Sequence, residues 1–162
     1  MPEFRDLKSL KKYIQDQIND CLVNEIAEDI RDQELTLIDS MVYDSYSPSM
    51  YERRGEEKGG LKYPGNIKAR LESDGILIVE NKTPFSQMPT SQNQGDELIG
   101  LIEYGSGGYK NYRYEYYQKN GDSPYAKPRP VISETRDAIK DIVADDICDA
   151  LINRGLKVKR IR

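Results

Sequence analysis

Apolar residues recur every three or four positions along the start of the chain, which is the spacing of one face of an α-helix. The pattern predicts one long helix over residues 4–38, with no glycine or proline to interrupt it. At 1.5 Å per residue such a helix is about 45–50 Å long, so it overhangs any sheet that a small domain can supply. We expect the surplus length to pack on a neighbouring subunit. The apolar face consists of Leu7, Leu10, Ile14, Ile18, Cys21, Leu22, Ile26 and Ile30.

The middle of the chain changes to the alternation and short apolar runs that are typical of β-strands. Residues 66–82 predict a hairpin that turns at Asp74-Gly75. Residues 98–104 predict a further strand, which gives an antiparallel sheet of about three to five strands. The polar stretch between these strands, residues 83–96, is interpreted as a mobile loop because long loops in small domains are commonly functional or disordered.

A second helical pattern follows Pro130 and predicts a helix over residues 133–154. Ser133 is its expected N-cap, and Gly155 stands at the position that commonly ends a helix. The basic tail alternates charged with apolar residues, as an edge strand or an arm would. Four aspartates recur every four residues on the face opposite the apolar stripe, and we hypothesise that they face the basic tail of a neighbouring copy. They are Asp137, Asp141, Asp145 and Asp149.

These patterns predict a single domain of the α+β class, in which a long N-terminal helix and a C-terminal helix pack on a small antiparallel sheet, with long loops. The domain covers residues 1–162. In chain order it comprises helix 4–38, a Tyr/Arg/Gly loop 43–61, sheet 66–104 with mobile loop 83–96, a Tyr-rich loop 105–130, helix 133–154 and basic tail 156–162.

The composition favours a protein that is completed by partners. Only 37% of residues are hydrophobic while 32% are charged, which is lean for a compact globule. Tyrosine is the dominant aromatic residue, with twelve Tyr against two Phe and no Trp, and tyrosine is common in interfaces. The net charge of −4 gives no overall attraction to phosphate backbones. No apolar run reaches membrane-spanning length, and the two cysteines are expected to be reduced thiols.

Two loops carry the residues that we predict to form interfaces. The alternative for the first loop is that its tyrosines cover the sheet of their own subunit. Arg129 and the basic tail complete the predicted contact set. The set is Tyr43, Tyr46, Pro48, Tyr51, Arg53 and Arg54 in the first loop, Tyr109, Tyr112, Tyr114, Tyr116 and Tyr117 in the second, and Arg129, Lys157, Lys159 and Arg160.

An enzymatic alternative rests on Asp74, Glu80 and Lys82. An Asp on a hairpin and a Glu-x-Lys at a strand end resemble the active-site layout of restriction-endonuclease-like nucleases, in which acids hold Mg²⁺ and the lysine assists the attacking water. A second alternative is a nucleic-acid-binding or regulatory module that uses Arg53-Arg54 and the tyrosines for stacking. Histidine, the commonest general base, is absent. The main interpretation is therefore a protein that is not an enzyme, with no catalytic, cofactor-binding or metal-binding residues.

Short segments of the chain resemble a known family. Glu103-Tyr104-Gly105, followed by Pro128-Arg129-Pro130 and an amphipathic helix, resembles the tail-completion, or neck, proteins of long-tailed bacteriophages and prophages. The stretch from Val42 to Leu61, which reads Val-Tyr-Asp-x-Tyr-x-Pro-x-x-Tyr-x-Arg-Arg before Gly-Gly-Leu, is similar to related prophage proteins of Gram-positive bacteria. The chain departs from the family pattern in the length of loop 83–96 and in the more than twenty residues between Gly105 and Pro128.

The resemblance implies a structural virion protein that joins the head to the tail. As a neck protein it forms a homo-oligomeric ring, sixfold or twelvefold, between the head-closure or connector proteins and the tail-terminator or tail-tube proteins. Double-stranded DNA passes through the channel of such a ring without sequence-specific binding, which an acidic protein suits. The implied location is the virion, after assembly in the cytoplasm of the bacterial host.

Overall fold

A computed structural model describes residues 4–45, 55–84, 98–108 and 127–159 of the chain. Its longest element is a continuous helical rod, α1, from Leu7 to Tyr43. Asp6 caps the rod, because its carboxylate accepts a hydrogen bond of 2.7 Å from the Ser9 amide while the Ser9 hydroxyl lies 3.4 Å from the Asp6 amide. The rod is built of Leu7–Cys21, a π-helical turn Leu22–Ile26, the α-helical segment Ala27–Ile38 and a second π-helical turn Asp39–Tyr43.

Helix α1 runs further than the predicted end at residue 38. The apolar pattern continues through Met41, Val42 and Tyr43, and all three side chains pack on a buried cluster around Ile38. Tyr43 therefore belongs to the helix and not to the loop predicted over 43–61. The sequence prediction ended the helix too early because this last turn is a π-helical one, in which the spacing of apolar residues changes.

The predicted hairpin is present. Strand β1, Ile67–Ser73, pairs antiparallel with strand β2, Ile76–Asn81. Its turn lies at Asp74-Gly75, where Gly75 has φ of +78°. The Asn19 side chain of α1 fixes this turn, donating to Asp74 at 3.0 Å and accepting from the Gly75 amide at 2.9 Å.

The predicted strand over residues 98–104 is wrong, since this region forms helix α2, Leu98–Gly108. Ile99, Ile102 and Glu103 are buried, and that spacing of three and four is helical. A short apolar run does not by itself distinguish a strand from a buried helix. In the described residues the sheet consequently has two strands, not three to five.

The single helix predicted over 133–154 is also wrong, because the structure has two helices. Helix α3 covers Val131–Ile139 and helix α4 covers Val143–Asn153. Ser133 is not the N-cap; it lies in the first turn of α3, behind Pro130. Gly155 does end α4 with φ of +82°.

The end of α4 forms a Schellman motif. The Gly155 amide donates to the carbonyl of Ile152 at 2.8 Å, and the Leu156 amide donates to the carbonyl of Leu151 at 3.0 Å. Together with α1 and the hairpin, these helices confirm the α+β class.

Two buried clusters lie along α1. The first contains Cys21, Leu22 and Ile26 of α1 with Ala150 and Leu151 of α4. The second, nearer the C-terminal end of α1, is formed by side chains from α1, α2, α3 and the segment before β1: Ile38, Leu61, Ile99, Ile102 and Val131. Because α1 contributes to both clusters, it is the element on which the other parts of the fold are assembled.

Candidate interaction site

The segments that precede and follow the Tyr-rich loop are in contact. The Arg129 amide donates a hydrogen bond of 2.8 Å to the carbonyl of Ile102 in α2. The Arg129 guanidinium also donates from Nε to the Ser45 hydroxyl at 3.2 Å, and Ser45 lies just beyond α1. Helix α2, which precedes the loop, is therefore fixed to the segment before α3, which follows the loop. We call the contact among Ser45, Ile102, Glu103 and Arg129 the loop base.

Glu103 is the central side chain of the loop base. It is 7% exposed, and its carboxylate accepts hydrogen bonds from the amides of Ile132 at 2.8 Å and Ser133 at 3.1 Å, and from the Ser133 hydroxyl. A carboxylate at this place satisfies free amides of the first turn of α3 and complements the positive end of the helix dipole. Glu103 of α2 thus caps α3, a role that the sequence analysis assigned to Ser133.

The backbone conformation of Gly105 explains why the Glu-Tyr-Gly segment has a glycine at this position. Its φ of 66° and ψ of −177° are not helical and lie in a region that essentially only glycine occupies. The residue is buried, and it redirects the chain at the C-terminal part of α2. The neighbouring Tyr104 side chain is 61% exposed, so the loop base presents an aromatic surface directly beside Glu103.

A second buried acid lies nearby and was not found from the sequence. Glu34 of α1 is 2% exposed and accepts a hydrogen bond of 2.6 Å from the Asn81 side chain at the end of β2. Asn81 in turn accepts from the Thr83 hydroxyl at 2.7 Å and the Thr83 amide at 3.0 Å. Burial raises the pKa of Glu34, the Asn81 hydrogen bond lowers it in part, and the negative charge of Glu103 raises it further. The only sequence signal was a glutamate on the apolar face of a helix.

Most of the predicted interface residues lie outside the described residues. These are Tyr46, Pro48, Tyr51, Arg53, Arg54, Tyr109, Tyr112, Tyr114, Tyr116, Tyr117 and Arg160. Two of the others make contacts within the chain. Tyr43 is half-buried, with the Lys62 ammonium 5.6 Å from its ring centre. Arg129 holds the loop base.

The predicted basic tail is attached to its own chain as far as the structure describes it. Leu156 and Val158 pack on the cluster around Cys21, whereas Lys157 and Lys159 are exposed. Residues 156–159 form no strand. Exposure of the two lysines is compatible with the predicted contact to the aspartates of another copy, which stays a prediction.

The four aspartates are all exposed but do not share one helix. Asp137 is on α3, Asp141 is in the break after α3, and Asp145 and Asp149 are on α4. Asp137 is paired within the chain with Arg136 at 3.1 Å. The break between the helices therefore divides the row that the sequence suggested.

Of the residues of the nuclease alternative, Glu80 and Lys82 are close together but Asp74 is remote from both. Glu80 stands opposite Lys68 in the hairpin, six residues from Asp74 at the turn, which corresponds to about 20 Å along a strand. Arg70 and Lys82 lie 3.4 and 3.6 Å from the Glu80 carboxylate. In the described ranges no group of three or more acidic or cysteine side chains could hold a metal ion. The geometry gives this alternative no support.

The start of α1 presents an unpaired apolar face. No residue before Cys21 is buried in the described chain. Leu7 is 83% exposed and Ile14 is 37% exposed. At the hairpin tip, which Asn19 ties to α1, Ile76 is 50% exposed. Since Ile18 packs on the cluster around Cys21, the part of α1 without a buried residue that precedes Ile18 is about three turns long.

The length and apolar character of the helices decide whether any of them could span a membrane. Among residues 4–45, 55–84, 98–108 and 127–159, no helix combines the length and the apolar character needed to cross a bilayer.

Comparison with known proteins relates the chain to a protein family. No protein of curated function and no solved structure shows significant similarity to the chain. A protein-family model, YomN, matches residues 6–157, a span that begins at the Asp6 cap of α1 and includes the loop base and both C-terminal helices. The family is phage-related. The chain belongs to the YomN family.

Proposed function

We propose that the chain is a structural protein of a phage neck, where it forms a homo-oligomeric ring that joins the head or portal connector to the tail tube. In this proposal the protein is not an enzyme. Its neighbours are further copies of itself, the head-closure or connector proteins on one side and the tail-terminator or tail-tube proteins on the other. The protein is assembled in the host cytoplasm and ends in the virion.

The observation that carries the proposal is the exposed amphipathic start of α1 in a chain of a phage-related family. Leu7, Leu10 and Ile14 lie on one face, and covering that face would remove apolar area from water at about 25 cal/mol per Å². Exposed apolar patches of this kind commonly mark protein interfaces. A closed ring offers the same partner surface to every copy and leaves no copy uncovered.

The loop base supports the second contact surface of the proposal. The buried Glu103 cap and the Arg129 hydrogen bonds hold the segments on the two sides of the Tyr-rich loop against each other. A binding loop whose ends are fixed loses less conformational entropy on association than a free segment does. Six tyrosines lie in this stretch, at positions 109, 112, 114, 116, 117 and 125.

Charge supports the position of the ring around DNA. The chain has 28 acidic and 24 basic residues. A net negative surface does not retain the phosphate backbone, so DNA can slide through the ring without being held. The proposal therefore includes no sequence-specific DNA contact.

The function is tested by removing the gene from the phage or prophage and examining the particles by negative-stain electron microscopy. The proposal predicts filled heads and complete tails that are not joined, and joining when purified protein is added to the lysate. A normal yield of joined, infectious particles without the protein would refute it, as would particles that lack heads or tails altogether.

A further inference from the structure

A groove of about 410 Å³ runs between the middle of α1 and the start of β1. Its lining combines apolar surface with two cations, Arg31 and Lys68. The remaining lining residues are Val23, Pro64, Gly65, Ile67 and Ala69. None of the neck contacts proposed above uses this groove.

Arg31 is the unusual residue of the groove. Its Nε atom is buried and has no hydrogen-bond partner. In the described residues, neither Arg31 of α1 nor Lys68 of β1 forms an ion pair. By contrast, the neighbouring cations Arg70 and Lys82 are both paired with Glu80. A buried guanidinium donor without an acceptor is energetically unfavourable. The groove therefore presents two cations, Arg31 and Lys68, to a negatively charged group.

The backbone of β1 supplies a second set of open binding groups. The Lys82 amide donates to the carbonyl of Asn66 at 2.8 Å, so the main-chain groups of Asn66 face β2. Because successive residues of a strand alternate in direction, the main-chain groups of Ile67, Ala69 and Leu71 face the other way. The Ile67 amide donates to the carbonyl of Pro64 and the residue is only 2% exposed, so the open groups of this edge are those of Ala69 and Leu71. In the described residues the sheet ends at β1 on that side, and an open strand edge can accept another strand.

From these two observations we infer that the groove binds an extended acidic segment of a partner protein. The segment pairs with the outer edge of β1 through main-chain hydrogen bonds at Ala69 and Leu71. One of its Asp or Glu side chains accepts from the Arg31 guanidinium, with Lys68 as the second cation. Edge pairing supplies affinity in this mode of recognition, and the side-chain pocket supplies specificity. The pair formed by an arginine and a carboxylate is a strong, directional hydrogen-bonded contact.

The site is tested by titrating the full-length, ¹⁵N-labelled protein with an acetylated Thr-Glu-Thr-Glu-Thr-Glu amide up to millimolar concentration. Saturable shifts at the amides of Ala69 and Leu71 are expected. The Arg31→Gln variant should bind about tenfold more weakly because the charged hydrogen bond is lost. Arg70→Gln is the matched control: Arg70 is in the same strand but is already paired with Glu80 and does not line the groove, so its affinity should match the wild type.

Two further peptides test the mode of binding on the unaltered protein. Replacing each Glu by Gln should weaken binding about tenfold, again because the charged hydrogen bond is lost. One of the two peptides that are N-methylated at alternate residues should lose binding, because methylation removes the amides that pair with β1. The inference is overturned if the Glu peptide causes no saturable shifts, if the Gln peptide binds equally well, or if neither methylated peptide is weakened. None of these results depends on the neck assignment.

Discussion

At the residue scale, two buried glutamates hold the centre of the fold in different ways. Glu103 accepts several hydrogen bonds at the start of α3, whereas Glu34 has the Asn81 amide as its donor. Both are nearly excluded from water. Substitution of Glu103 removes several hydrogen bonds at once, whereas burial disfavours the charged form of Glu34. Their contributions to stability should therefore respond to substitution differently.

Replacing Glu103 by Gln is expected to destabilise the protein by about 1–3 kcal/mol, because the amide loses the charge-assisted hydrogen bonds and directs donors at the donors of α3. Urea denaturation measures the change. Glu134→Gln is the matched control, since Glu134 is an exposed acid in the first turn of the same helix, and its effect should stay within about 0.5 kcal/mol. Equal effects of the two substitutions would contradict the capping role of Glu103.

The raised pKa of Glu34 predicts that the stability of the folded protein depends on pH. Its pKa is raised in the folded state, chiefly by burial, so the folded protein binds this proton more tightly than the unfolded chain does. The contribution of Glu34 to stability is therefore greatest below the ordinary glutamate pKa and is lost as pH rises through the raised value.

The test compares wild type with Glu34→Gln, which keeps an oxygen acceptor for Asn81. The melting temperature of the wild type relative to Glu34→Gln should fall as pH rises from about 4, near the ordinary glutamate pKa, to 8. Glu72→Gln, a substitution of an exposed acid in β1, should show no such trend. A constant difference between wild type and Glu34→Gln across this range would refute the assignment.

At the element scale, the regular patterns predicted the fold well and the junctions poorly. The stripe of α1, the Asp74-Gly75 turn and the Gly155 end of α4 were visible because each depends on local spacing or on one residue type. The identity of α2 was not visible, because a run of seven largely apolar residues fits either a strand or a helix. What decides between them is the placement of Ile99, Ile102 and Glu103 in the core, which is a tertiary effect.

The loop base shows the same limit. The sequence marked Glu103-Tyr104-Gly105 and Pro128-Arg129-Pro130 as the two ends of one stretch. It did not reveal that Glu103 caps α3, because a cap supplied by another element has no fixed spacing in the chain. The break between α3 and α4 was hidden for a related reason: residues 140–142 contain neither glycine nor proline, so no local signal ends α3.

A substitution of Gly105 tests the backbone conformation described for α2. Gly105→Ala should destabilise the protein by about 1–3 kcal/mol, since alanine at the observed φ and ψ is strained. Guanidinium denaturation measures the loss. Gly55→Ala is the control, because a Cβ at Gly55 would meet nothing within 4 Å and its φ is not in the left-handed region. If Gly105→Ala is as stable as Gly55→Ala, Gly105 does not hold the conformation described.

At the scale of the whole molecule, substitutions in the exposed start of α1 are expected to weaken assembly with little effect on the stability of the monomer. A Leu7→Gln, Ile14→Gln double variant replaces side chains that are 83% and 37% exposed in the single chain, so its free energy of unfolding as a monomer should change by no more than about 1 kcal/mol per site. Its self-association, measured by analytical ultracentrifugation, should weaken. Ile142→Gln, which changes a side chain that is 49% exposed on another surface, serves as the control. Association that is unaffected by the double variant would exclude α1 as the subunit contact.

The proposed function of this chain is to form a ring in the phage neck. The most direct measurement is a cryo-electron microscopy reconstruction of the neck in purified particles, combined with mass spectrometry of their proteins. The account predicts a closed ring of six or twelve copies between head and tail, with α1 packed on the adjacent copy and DNA in the channel. Particles that contain no copy of the chain, or that carry it away from the head–tail junction, would contradict it.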